Sequence, residues 1–218
     1  MKKRTPSYPW VTVVHHPLID HSLSIIREKT TQTEDFRRHG GIVSMLLFLH
    51  AAKKLKLESY DIQTPLSPMK GKRLKKNVIV VPVLRSGIGM LFALEDLLPS
   101  AAVGFIGLAR DEKTAQAHEY YQKLPKIFSS NIVFLVDPML ATGGSLIDSL
   151  AILIKKGAKN ITVICIVSAP EGLERIHKQY PDVKIITAAI DTHLNDTKFI
   201  VPGLGDFGDR YFGTTDYI

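Results

Sequence analysis

The sequence predicts an α/β domain on a mainly parallel sheet. Short, unbroken apolar runs recur along its last two thirds, and stretches of helical length separate them. At 218 residues, against about 150 per domain, the chain has single-domain length and ample core without disulfides.

Strands buried on both faces read as continuous apolar runs. Val78–Val81, Val103–Leu108, Ile132–Val136, Ile161–Val167 and Val183–Ala189 fit that description. Helical segments lie at Met90–Leu97, Ser145–Lys155 and Glu171–Gln179. Such alternation makes a parallel sheet, whose ligands bind beyond the carboxyl ends of the strands. The first third reads as helical. Thr33, followed by Glu34 and Asp35, looks like a capped helix start. The apolar stretch after it runs to about Leu57, and Gly40-Gly41 marks a break or a close helix contact.

Composition excludes several classes. Apolar residues make up 45% and charged residues 22%, ordinary globular usage, so collagen-like and low-complexity chains are out. The single cysteine, Cys165, cannot form a bridge within the chain, which suggests a reducing compartment. It sits in an apolar run and reads as a small buried hydrophobe. The longest apolar candidate, Ile42–Ala52, falls well short of a bilayer span. Lys2-Lys3-Arg4 is followed by no hydrophobic stretch, so no secretory signal is expected and the cytoplasm is the expected location. The formal charge of +7 favours anionic partners, with one local cluster at Lys70–Lys76. The histidines lack zinc-site spacing, and His15, His16 and His118 read as loop residues.

The densest chemistry follows Ile132–Val136. The chain continues Asp137-Pro138-Met139-Leu140-Ala141-Thr142-Gly143-Gly144-Ser145 into a helix with Leu146, Ile147, Leu150 and Leu153 on one side. Gly143 and Gly144 let backbone amides converge on an anion. A helix start adds unpaired N–H groups and a positive dipole end. Thr142 and Ser145 add hydroxyls, and Asp137 suits sugar hydroxyls or a metal shell. The bland alternative is a glycine-rich strand-to-helix turn; the acid, hydroxyls and glycines together favour a phosphate cradle. The P-loop spacing is absent. Gly203-Leu204-Gly205-Asp206-Phe207-Gly208 matches the dinucleotide fingerprint in letters only, because ten residues follow it.

The segment Val136–Ser145 resembles the phosphoribosyl diphosphate (PRPP) loop of type I phosphoribosyltransferases. Pro138 replacing the second of two acids is characteristic of the uracil phosphoribosyltransferases. Pro82–Met90 resembles their diphosphate loop, and Gly107–Thr114 the start of their flexible flap, which ends near Tyr120–Pro125. Ala169-Pro170-Glu171-Gly172 and Ile200–Thr214 are similar to two further blocks, the second the uracil-binding segment. The chain departs from that family at Phe207, Phe199, Ala109 and Arg37–Gly41.

The resemblance implies a single phosphoribosyltransferase domain over 1–218, with an N-terminal helical, oligomerising region to about 60 and a uracil-binding segment from about 185. It implies transfer of the phosphoribosyl group from PRPP to uracil, giving UMP and diphosphate. Arg85 and Arg110 would neutralise the diphosphate. Asp137 would contact ribose hydroxyls, and the loop from Pro138 through Met139, Leu140, Ala141, Thr142, Gly143 and Gly144 to Ser145 would hold PRPP. Asp206 would act near the metal shell or ribose. Ile200, Gly205, Asp206 and Phe207 would meet uracil. Mg2+, held mainly by PRPP and water, is the implied cofactor. A homodimer or higher homo-oligomer and a GTP effector are further implications; nucleic acid and membrane are not expected partners.

The residues also admit other readings. Asp206 and Asp209 beside glycines could form turns, and Asp209-Arg210 a structural pair. The cluster at Lys70–Lys76 admits an RNA-binding regulator on the same fold, though no aromatics interleave it. A sister enzyme for another base, or a copy that binds without turnover, is kept open by Phe207 and Phe199.

Overall fold

A computed structural model describes residues 8–75, 77–110 and 117–214, without the side chains of 109, 110 and 117–119. The elements run β1 (Val11–Val13), α1 (Pro17–Arg27), α2 (Thr33–Ala52), β2 (Leu57–Gln63), β3 (Pro68–Leu74), β4 (Val78–Leu84) and α3 (Ile88–Glu95). Then come β5 (Ala102–Val103), β6 (Phe105–Arg110), β7 (Ala117–Lys123), β8 (Ile132–Val136), β9 (Met139–Leu140), α4 (Gly144–Lys155), β10 (Asn160–Ser168) and α5 (Pro170–Gln179). The chain closes with β11 (Lys184–Ile190), β12 (His193–Leu194), β13 (Ile200–Val201) and α6 (Phe207–Phe212).

The main sheet has the order β1-β11-β10-β8-β4-β6-β7, with β5 beside β4 and β9 beside β10. Every pairing in it is parallel except β6 with β7. Alternation along the strands feeds two cores. Val80, Phe134, Val136, Ile164 and Ile166 pack on the face shared with α1, α2, α3 and α6. Ile79, Val81, Val133, Leu135, Val163 and Cys165 pack on the face of α4 and α5. Both faces are covered, which is why the strands read as unbroken apolar runs.

Three expectations change, and one is decided between its two alternatives. The helix at Thr33 is uncapped by that residue: Gln32 takes the N-cap position without a side-chain bond, and Thr33 is the first helical residue. Gly40-Gly41 does not break α2; Gly40 is a close contact, since a Cβ there would stand 3.5 Å from the Phe207 ring. His16 is a cap rather than a plain loop residue, its Nδ1 accepting from the Leu18 N–H at 3.1 Å. And α2 ends at Ala52, after which β2 and β3 form an antiparallel hairpin.

That hairpin carries the basic cluster as far as the structure describes it, Lys76 lying outside the described residues. Lys70 pairs with Asp61 at 2.6 Å, and Arg73 with Glu58 at 2.7 Å. The aromatic missing from the linear cluster comes from the neighbouring strand, where Tyr60 lies 5.0 Å beneath Arg73. Half the local charge is thus answered by acids on β2, which weakens the RNA reading. Among the described residues no helix is long and apolar enough to cross a membrane.

Candidate active site

The site lies beyond the carboxyl ends of β4 and β8, as a parallel sheet requires. After β4 the chain turns at Arg85–Gly87. A Cβ on Gly87 would stand 2.6 Å from the Val136 carbonyl, so only glycine lets this turn lie against β8. The turn delivers Ser86, whose hydroxyl donates to Asp137 Oδ1 at 3.3 Å.

Asp137 follows β8 directly. Its backbone N–H donates to the Ile164 carbonyl, and its Oδ1 also accepts from the Met139 N–H at 3.3 Å. The remaining surface of Asp137 faces a cavity and protein surrounds the rest, so loss of hydration lifts its carboxyl from 3.8 to about 6. The two hydrogen bonds oppose that rise, and Asp206 adds to it. Pro138 is buried, its carbonyl accepting from the Ile166 and Val167 N–H groups at 3.0 Å. It anchors the loop to β10.

The cradle is formed where β9 leads through Ala141 and Thr142 into α4. Gly143 has φ +76° and holds the N-cap position of that helix. Gly144 N–H approaches Thr142 Oγ1 at 3.5 Å, and Arg175 on α5 donates to the Thr142 carbonyl at 3.3 Å. Helix α5 comes this close because a Cβ on Gly172 would collide with the Ala141 carbonyl.

Opposite stand β13 and the start of α6. Asp206 caps α6 by accepting from the Asp209 N–H at 2.9 Å. Phe207 is 1% exposed; its ring stacks on Tyr211 at 5.5 Å and tilts against Phe36 at 5.2 Å. A cavity of about 300 Å³ lies between the two walls. Asp137, Met139, Ala141, Thr142, Ile200, Gly205, Asp206 and Phe207, all expected from the sequence, line it. Pro138, Leu140 and Gly143 are buried and Gly144 and Ser145 part-exposed at the start of α4, and none of the five lines this cavity. Ser86, Thr197, Lys198, Phe199 and Gly208 line it without having been assigned to the site. Thr197 and Lys198 lie in the β12–β13 turn, which carries no motif in the linear sequence.

Arg85 does not face the cavity. It pairs with Asp209 at 2.8 Å, so the expected Asp209–Arg210 pair is not formed. Arg210 instead donates to the carbonyls of Ile26, Leu204 and Glu28. The Arg110 side chain lies outside the described residues, as do positions 111–116 of the expected flap. The flap's two ends are strands, β6 and β7, paired with Arg110 opposite Ala117.

The parallel sheet, the acid at a strand end and the glycine-started helix fit the type I phosphoribosyltransferase class, to which its relatives assign the fold. The adenine phosphoribosyl transferase from Trypanosoma brucei, in complex with AMP, pyrophosphate and ribose-5-phosphate, shares this fold. It aligns over 88% of this chain and 87% of its own, with TM-score 0.57 and 14% identity. The AQ2163 protein from Aquifex aeolicus aligns over 95% and 100%, with TM-score 0.89 and 35% identity. The family model described as uracil phosphoribosyltransferase matches residues 13–214. The uracil phosphoribosyltransferase of Streptococcus pyogenes serotype M5 (strain Manfredo) is 50% identical over 203 residues, 93% of this chain and 97% of its own. The chain belongs to the uracil phosphoribosyltransferase family.

Proposed function

We propose that this protein transfers the 5-phosphoribosyl group from PRPP to uracil, giving UMP and diphosphate. One observation carries the reading: a single cavity joins Asp137 and Thr142 on one wall to Ile200, Gly205 and Phe207 on the other. The anomeric C–O bond to diphosphate breaks and a C–N bond to uracil forms. Positive charge develops on the ribose ring and negative charge on the leaving group, so catalysis is positioning and electrostatics.

The Ala141–Ser145 loop binds the 5′-phosphate at the start of α4. Asp137 accepts from ribose hydroxyls. Arg85 and Arg110 take the diphosphate. Backbone groups at Ile200 and Gly205 match the edges of uracil, and Phe207 closes the floor. A buried donor or acceptor left unpaired would penalise the wrong base. The donor set suits Mg2+, since two carboxylates, Asp137 and Asp206, line the cavity and offer the oxygen ligands this ion prefers. Asp206 would hold the ion through water, and the ion, when bound, would neutralise diphosphate and ribose oxygens.

A homodimer or higher homo-oligomer belongs to the same reading, supported by exposed Leu57, Leu66 and Met69 on the β2–β3 hairpin. So does a GTP effector; light scattering with and without GTP tests both. The reaction is placed in the cytoplasm, in pyrimidine salvage. The deciding assay is UMP formation from uracil, PRPP and Mg2+, beside cytosine, orotate, hypoxanthine and xanthine. Turnover with uracil alone is expected; turnover with another base, or with none, overturns the assignment.

A further inference from the structure

The segment from β13 to α6 forms one wall of the cavity, yet it holds little regular structure of its own. Gly203 within it has φ +60°, and a Cβ there would collide with the Ile200 carbonyl. Its orientation is fixed from elsewhere. Arg27, the last residue of α1, donates from Nη1 to Asp191 Oδ2 at 2.8 Å and from Nη2 to Oδ1 at 2.7 Å. The same Nη1 reaches the Gly203 carbonyl at 2.6 Å. The Gly203 N–H in turn donates to Asp191 Oδ2 at 2.8 Å. One ion pair therefore takes both backbone polar groups of Gly203.

The pair is itself anchored. Asp191 follows β11, its side chain is 6% exposed, and its N–H donates to the Ser168 carbonyl at the end of β10. Arg210 repeats the pattern one residue on, donating from Nη1 to the Leu204 carbonyl at 2.7 Å and to Ile26 at 2.6 Å. Its Nη2 reaches the Glu28 carbonyl at 2.6 Å. Two guanidinium groups thus tie consecutive loop carbonyls to the end of α1, and Arg210 also satisfies the open carbonyls of Ile26 and the C-cap residue Glu28 there.

We propose that Arg27 and Asp191 are positioning residues for base selection. The proposal rests on the phosphoribosyl-transfer reading. Neither residue lines the cavity. They fix the peptide planes around Gly203, and Gly205 and Asp206, which do line it, inherit that orientation. Recognition through backbone groups tolerates errors of only about 0.5 Å, so slack in this turn weakens uracil binding first. The cradle at Thr142–Ser145 rests on α4 and α5, apart from the clamp.

Arg27→Lys keeps the charge and most of the stem but loses the paired donors. Asp191→Asn keeps the volume and one acceptor. Steady-state UMP synthesis by each variant is read as separate KM values for uracil and PRPP, beside Tm. A rise of about tenfold in the uracil KM is expected, with the PRPP KM within about twofold. Should neither variant fold, Arg210→Lys, which loosens only the Leu204 carbonyl among the loop groups, is expected to show the same asymmetry. Equal movement of both KM values, or loss of Tm with both KM values unchanged, overturns the positioning role alone. Wild-type protein that makes no UMP overturns the reaction and this role with it.

Discussion

Arg85 donates from Nη2 to Oδ1 of Asp209 at 2.8 Å, so the arginine assigned to diphosphate is held by a carboxylate on α6. Both side chains are well exposed, and such pairs contribute at most about 1 kcal/mol. A multiply charged diphosphate is expected to outcompete one carboxylate there. Arg85→Gln should lower kcat/KM for PRPP about a hundredfold. Asp209→Asn, by freeing Arg85, should lower the PRPP KM by no more than about fivefold. Initial rates against PRPP concentration check both; an unchanged Arg85→Gln enzyme removes Arg85 from the mechanism.

Asp137 makes stability depend on pH. Its folded pKa of about 6 exceeds its unfolded value near 3.8, so the folded protein keeps the proton longer. The carboxyl's stability contribution is full below about pH 4 and is lost as pH rises through 6. At neutral pH the deficit reaches about 3 kcal/mol. Asp137→Asn should therefore be more stable than the parent at pH 8 and equal to it at pH 3.5, while losing activity. Urea denaturation of both proteins at the two pH values checks this; a gap independent of pH would count against it.

Phe207 packs into room left by two glycines. A Cβ on Gly40 would lie 3.5 Å from its ring, and one on Gly89 at 3.0 Å. Gly40→Ala fits this space and removes a helix-interior glycine, so stability should rise by about 1 kcal/mol. Gly40→Leu should cost about 1–3 kcal/mol by overpacking. Phe207→Ala should cost about 3–5 kcal/mol and raise the uracil KM. Thermal melts and uracil titrations separate the packing from the binding effect.

The cradle depends on Gly143 and Gly172 in different ways. Alanine at Gly143 meets the left-handed φ of +76°, at a cost of about 1–2 kcal/mol. Alanine at Gly172 collides with the Ala141 carbonyl and pushes α5 from the loop. Both should raise the PRPP KM more than the uracil KM. Equal effects on the two substrates would separate these glycines from phosphate binding.

The α/β class, five strand positions and the helices α4 and α5 were legible because both sheet faces are covered, so burial wrote itself into continuous apolar runs. The β2–β3 hairpin was not legible: Leu57–Gln63 and Pro68–Leu74 carry polar and charged residues with little apolar alternation to mark a strand. The strand following Val103 was read as one run, whereas it divides at Gly104 into β5 and β6.

The sequence by itself determined the cradle, because a strand, an acid, glycines and a helix start are consecutive, and their chemistry is local. It likewise placed Ile200, Gly205 and Phe207 together through one short block. Only the tertiary structure decided that Asp137 is raised by burial, that Arg85 is held by Asp209 and that Gly40 packs against Phe207. It alone joined Arg27 to Gly203, 176 positions away. Such relations depend on packing and lost hydration between distant segments, for which linear spacing carries no signal.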